Sequence, residues 1–192
     1  RYGCLALGNI CYGTDAAADV RKQAAADADA LASIVGGMRA HASSEGVQRD
    51  GCCAISNICY GTNAASNARK QAAADAGALA SIVGGMRAHA LSEEMQRDGC
   101  CALSNICDGT DKAADVRKQA AADADAFASI VGGMRAHASS EGVQEGGCCA
   151  LSNICDGTDA ASNARKQAAA DAGALASIVG GMRAHALSEE MQ

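Results

Sequence analysis

The residues able to do chemistry return on a fixed beat. Asn9, Asn57, Asn105 and Asn153 stand 48 positions apart. Each lies in one recurring phrase: GCCAISNICYG from Gly51, GCCALSNICDG from Gly99 and Gly147, and GCLALGNICYG from Gly3. A carboxamide both donates and accepts, so a row of them at repeat spacing can pair with the alternating N–H and C=O groups of an extended peptide. The neighbouring thiols, with His41, His89, His137 and His185, raise metal or redox chemistry instead. Spacing opposes that. Cys52 and Cys59 are separated by about 10 Å of helical rise, beyond the ~7 Å between Cα atoms that a disulfide tolerates. Equivalent cysteines of stacked repeats fall about a helix diameter apart, too far to share a tetrahedral zinc with ~2.3 Å bonds to sulfur. Cys52 and Cys59 read as small buried hydrophobes, and the histidines as solvated loop residues.

No Ser/His/Asp constellation is placed by a rigid turn. Gly84-Gly85 lies inside a helical pattern with no strand before it, so it is no phosphate loop. Near-identical repeats also do not create the single convergence of different groups that an active site needs. The expectation is a protein without catalytic activity, cofactor, metal or small-molecule substrate.

The elements that must position the asparagines follow from the 48-residue period, which divides the 192-residue chain into phases 1–48, 49–96, 97–144 and 145–192. A longer period overlies it: 145–192 departs from 49–96 only at the positions of Arg49, Asp50, Ile55, Tyr60 and Asn63. Within one period Gly61-Thr62 makes a turn and Asn63 caps a first helix. Ala64 to Ala76 is rich in helix formers, and Gly77 (Asp29, Asp125 and Gly173 elsewhere) ends it at a left-handed position. Leu79, Ile82, Val83 and Met86 then form one apolar stripe at i, i+3, i+4, i+7. Gly84-Gly85 inside that helix costs about 1 kcal/mol per glycine against alanine, which predicts a weak helix or a close neighbour. After a connection at His89, Ser92 caps a third helix, with Glu93 and Glu94 at its positive end. The pattern predicts three helices per repeat and an all-α solenoid, beginning and ending within a third helix, as an excerpt of a longer array would.

Leu, Ile, Val and Phe make up only 27 of 192 residues, a share at which disorder becomes a live reading. Strict periodicity and a modest net charge of -6 favour order. Sixteen basic residues against 22 acidic ones give no excess for phosphate, so no nucleic-acid partner is expected. No apolar run nears the ~20 residues of a membrane span, so no membrane partner is expected either. Eleven cysteines that follow the repeat, without an export signal, suit reduced thiols in a cytoplasmic or nuclear protein.

The third helix is similar to a known one. ALSNICDG (Ala102–Gly109) resembles the third-helix signature of armadillo repeats, WALSNIA followed by Gly. RKQAAADAGAL (Arg69–Leu79) resembles the junction between that family's first two helices. The unit here is about six residues longer than the family's usual ~42, and the proline common near the second helix is absent. The resemblance implies a right-handed superhelix of three-helix repeats whose third helices line a concave groove. It also implies that the asparagines bond the backbone of an extended peptide from a partner protein. The tryptophan that shapes side-chain pockets in the family is replaced by Leu5, Cys53, Cys101 and Cys149.

Helical spacing puts Arg49, Cys53, Asn57 and Tyr60 on one side of the helix. The expected peptide-binding set is therefore Asn9, Asn57, Asn105, Asn153, Cys53, Cys101, Cys149, Arg49, Arg97, Tyr60, Asp108 and Asp156. Its charge turns acidic toward the C-terminus, where Glu145, Asp108 and Asp156 stand, so a basic segment would be preferred there. Arg69-Lys70 and its copies read as a solvated face of the first helix. The second expectation is a structural scaffold whose repeats stack or associate without a groove peptide. A thiol-rich metal-binding protein is a distant third.

Overall fold

In a computed structural model that describes residues 1–189, 191 and 192, the chain is all-helical: the described residues form twelve α-helices and no strand. Three lengths recur in order. Helices of 12 residues are α2 (Ala16–Asp27), α5 (Ala64–Asp75), α8 (Lys112–Asp123) and α11 (Ala160–Asp171). Helices of 11 residues are α3 (Ala30–Ala40), α6 (Ala78–Ala88), α9 (Ala126–Ala136) and α12 (Ala174–Ala184). Helices of 15 residues are α4 (Glu45–Cys59), α7 (Glu93–Cys107) and α10 (Glu141–Cys155), with a shorter α1 (Tyr2–Cys11) in the same register.

Local chemistry starts the first helices and two of the third helices where the pattern predicts, while Ser44 before α4 makes no side-chain cap bond. The side-chain oxygens of Asp15, Asn63, Asp111 and Asp159 accept the N–H groups of Ala18, Ser66, Ala114 and Ser162 at 2.7–2.8 Å, satisfying a donor left over at each helix start. Gly77 and Gly173 turn the chain with φ 81° and 87°. Asp29 and Asp125 take the same left-handed turn at φ 54° and 61°, a conformation that aspartate tolerates better than most side-chain-bearing residues. Ser92 and Ser140 accept the N–H groups of Met95 and Val143.

Three of the second helices, α3, α6 and α9, bury the predicted stripe, with Leu79, Ile82, Val83 and Met86 inaccessible or nearly so, whereas on α12 Leu175 and Val179 are exposed. The glycine pair divides its work. A Cβ on Gly84 would meet nothing, whereas one on Gly85 would lie 2.9 Å from Gln48 Oε1 and 3.1 Å from Met95 Cε. Only the second glycine marks a close approach. Gln48 comes close because its Nε2 donates to the carbonyls of Met38 and His41, at the end of α3. Gln96 and Gln144 repeat this on α6 and α9.

Like packs on like. The 15-residue helices make the most extensive contacts, α1 on α4, α4 on α7 and α7 on α10, flanked by parallel ladders α3–α6–α9–α12 and α2–α5–α8–α11. This arrangement is compatible with an α-solenoid. The core is one continuous cluster in which Cys52, Cys59, Cys100 and Cys107 are wholly inaccessible beside Ile55, Ile58, Leu103 and Ile106. Cysteine serves there as a small apolar residue, and all eleven cysteines are unbridged. At the C-terminus, the helix start expected near Ser188–Gln192 includes Glu190, which lies outside the described residues. Gln192 already makes the Gln48-type bond to the Met182 carbonyl, at 3.2 Å. Among the described residues no helix is long and apolar enough to cross a membrane.

Candidate functional site

The outer face of α4, α7 and α10 carries the expected row. Cys53, Cys101 and Cys149 are exposed, while the adjacent Cys52 and Cys100 are buried. One residue of helix rotation separates a core thiol from a surface thiol. Burial raises the pKa of the surface thiols as well as the core ones, Cys59 and Cys107 to about 12. None is an activated thiolate. Among the described residues no three His, Cys, Asp or Glu side chains converge closely enough to hold a metal ion.

Beside these thiols lie Asn57, Asn105 and Asn153, half-buried, and Asn9, exposed on α1. Each half-buried amide reaches back to the preceding helix of the ladder. Asn57 Nδ2 donates to the Gly8 carbonyl at 3.0 Å. Asn105 Nδ2 donates to both the carbonyl and the Oγ of Ser56, at 3.2 and 2.8 Å, and Asn153 does the same with Ser104. The donor half of the carboxamide is thus engaged in holding neighbouring helices. Among the described residues no donor reaches the Oδ1 atoms, so the rung offers an acceptor and not the donor–acceptor pair that the spacing suggests.

The charged columns of the expected site are tied down too. Arg49 pairs with Glu94 of α7 and with Asp50, and Arg97 with Asp98. Asp98 is held above the usual carboxylate range by burial, although Arg97 beside it pulls the other way. Asp108 Oδ2 receives Lys70 Nζ at 2.7 Å, and Asp156 Oδ2 receives Lys118 Nζ at 3.0 Å. The hydrogen bond and charge of Lys118 hold Asp156 below the usual range. The acidity expected toward the C-terminus is therefore largely neutralised from beneath by cations of the preceding first helix.

Those cations overturn one expectation. Lys22, Arg69, Lys70, Arg117, Lys118 and Arg165 are at most 2% exposed, not a solvated face; of the copies only Arg21 and Lys166 are exposed as expected. The arginine runs under the end of the helix before it. Arg117 Nε donates to the Ile106 carbonyl at 2.8 Å, its Nη2 to the Asp108 carbonyl and its Nη1 to Gln71 Oε1. The last turn of a helix leaves carbonyls without partners and carries a negative dipole end, which a guanidinium fork satisfies. Arg69 and Arg165 make the same bonds to Ile58 and Ile154, and Asp19 and Asp115 supply counter-charges from the preceding first helix. His41 is exposed as expected, but the other three histidines differ. His89, His137 and His185 are half-buried and direct Nε2 to the carbonyls of Ala42, Ala90 and Ala138 in the preceding connection.

Recurrence alone does not reveal these buried cations: Arg-Lys-Gln returns unchanged at 21–23, 69–71, 117–119 and 165–167, but so do the exposed Arg39, Arg87, Arg135 and Arg183. The chain matches no protein-family model, no curated protein and no solved structure.

Proposed function

We propose that this chain is a protein-interaction module, a right-handed α-solenoid of armadillo-like three-helix repeats, and that an extended segment of a partner protein lies along its third-helix face. The observation that carries the reading is the row of Asn57, Asn105 and Asn153 Oδ1 acceptors. They stand beside exposed Cys53, Cys101 and Cys149 and are held in place because each Nδ2 is anchored one helix back. A ligand that meets a prearranged acceptor loses little to ordering it. The rungs accept peptide N–H groups, and exposed sulfur gives shallow, weakly selective contact in place of indole pockets. Arg49, Arg97, Tyr60, Asp108 and Asp156 border the row and set side-chain preference. The reading involves no catalysis, cofactor, nucleic acid or membrane, and free thiols suit a reducing cytoplasmic or nuclear setting.

A peptide-display selection tests it on the chain and on the Asn57→Ala, Asn105→Ala, Asn153→Ala triple variant, at a temperature well below both melting transitions. Peptides enriched by the parent chain alone support the ladder. Identical enrichment by both proteins, or none, overturns it.

A second reading, a scaffold acting through repeat stacking, is favoured by the last helices. A cavity of about 390 Å³ opens among Cys148, Leu151, Cys155, Ala169, Leu175 and Ile178. The equivalents Cys100, Leu103, Cys107, Ala121, Phe127 and Ile130 are buried under the following repeat. The face is shaped for another repeat of the same kind. Concentration-dependent mass in equilibrium sedimentation, abolished by Leu175→Lys with Ile178→Lys, is its expected signature.

A further inference from the structure

The buried lysine column has one member without a carboxylate. Lys70 and Lys118 each meet an aspartate 38 residues on, Asp108 and Asp156. The same offset from Lys22 leads to Tyr60. Lys22 is 2% exposed, its Nζ donates to the Gly13 carbonyl at 2.7 Å, and it lies 4.9 Å from the centre of the Tyr60 ring. An ammonium has three donors, and a carbonyl with a ring face answers only part of that demand. A cavity of about 340 Å³ opens beside it, lined by Thr14, Tyr60, Thr62, Asn63, Asn105 and Lys22 itself, with Asp19 and Asp108 at its walls. Both of those carboxylates are engaged, Asp19 with Arg69 and Asn63, and Asp108 with Lys70. Among the described residues Lys22 is the one cation that lines the cavity, and no carboxylate lies within ion-pair distance of it, since Asp19 pairs with Arg69 and Asp108 with Lys70. A buried charge without its counter-ion is costly, so an anion entering here is favoured.

We propose that this cavity is a subsite for a carboxylate, and that the carboxylate is the aspartate or glutamate side chain of the extended segment bound along the third-helix face. The identity of the segment rests on the reading above; the cation and the cavity do not. Asn105 links the two, since it lines the cavity and is a rung of the ladder. The ligand carboxylate takes the place that Asp108 and Asp156 occupy in the next two junctions, with Thr14 and Thr62 hydroxyls available to its second oxygen. The preference is the opposite of the basic one suggested by the formal charges of the groove columns.

The full chain labelled with ¹⁵N-lysine serves for the test, with the Lys22 Nζ resonance assigned by its loss in Lys22→Met. The chain is titrated with capped Gly-Asp-Gly, capped Gly-Asn-Gly and acetate. The Lys22 resonance is expected to shift and saturate with the aspartyl peptide, to ignore the asparaginyl one, and to respond to acetate at least about tenfold more weakly, a difference of ~1.4 kcal/mol. Tyr60→Asp, which supplies an internal carboxylate as the later repeats do, is expected to abolish the response. A silent Lys22, equal response to both peptides, or a response that survives Tyr60→Asp overturns the subsite. Acetate matching the peptide overturns the peptide source in favour of a free carboxylate. A responsive Lys22 combined with a failed display selection removes the ladder and keeps the subsite, and the reverse pair of results removes only the subsite.

Discussion

Asn105 Nδ2 donates to both the carbonyl and the hydroxyl of Ser56, 49 residues earlier and one helix back along the ladder. A side chain whose regular return suggests ligand contact is therefore also a bond between helices. Both roles belong to one amide, the nitrogen inward and the oxygen outward.

That division predicts a stability cost for removing a rung. Asn105→Ala is expected to destabilise the fold by about 1–2 kcal/mol, the usual effect of stranding part-buried hydrogen-bond partners. Asn9→Ala, at an exposed position of α1, should change stability by less than about 0.5 kcal/mol. Urea melts of the two variants check this, and equal losses would remove the inter-helix role.

The buried arginines are expected to matter most. Arg117 is inaccessible and serves the Ile106 and Asp108 carbonyls and Gln71. Arg117→Ala leaves those acceptors stranded and should cost about 3–5 kcal/mol. Arg21 makes the equivalent bonds to Ile10 and Tyr12, but at the surface, where water can replace it. Arg21→Ala should cost about 1 kcal/mol. Similar denaturation midpoints for the two would show that the capping bonds carry little.

The core thiols predict alkaline unfolding. Burial raises Cys59 and Cys107 from the ordinary 9.0 to about 12, and also raises Cys52 and Cys100. The folded chain therefore keeps protons that the unfolded chain releases above pH 9. Stability is complete below that pH and falls through the window from 9 to 12 by about 1.4 kcal/mol per pH unit for each such thiol. The circular dichroism melting temperature should drop steeply above pH 9, and Cys59→Ala with Cys107→Ala should flatten the slope.

Accessibility separates neighbouring thiols. Iodoacetamide under native conditions should label Cys53, Cys101 and Cys149 and spare Cys52, Cys59, Cys100 and Cys107. The labelling should be slow for surface thiols, because partial burial disfavours their thiolates. Mass spectrometry of the digest reads this directly, and early labelling at Cys100 would contradict the packing.

Asp29 holds a left-handed conformation at φ 54° where Gly77 and Gly173 stand in other repeats. Asp29→Gly should stabilise the chain by up to about 1 kcal/mol, since glycine adopts that region without steric cost. Asp125→Gly should gain less, because it loses the Asp125 pair with Arg87. A lower melting temperature for Asp29→Gly would count against the strain.

The local code of this chain is legible without coordinates. Asn63 and Ser92 cap because a short polar side chain next to a helix start has a donor within reach. Leu79, Ile82, Val83 and Met86 are buried because an i, i+3, i+4, i+7 stripe has one face. These rules act over one or two turns, and so do the positions that place Cys53 and Asn57 on the outer face. What only the tertiary structure decided is where the long polar side chains end. Lys70 finds Asp108 across 38 residues and Asn105 finds Ser56 across 49. Arg117 is buried because its fork meets carbonyls that α7 leaves unpaired, beneath a stacked neighbour. An arginine or lysine at a given helical position is solvated or buried according to what its reach meets, and that partner belongs to another element. Helix geometry is a property of neighbours in sequence. The fate of a buried charge is a property of neighbours in space, where desolvation must be met by a partner that spacing within the helix does not reveal.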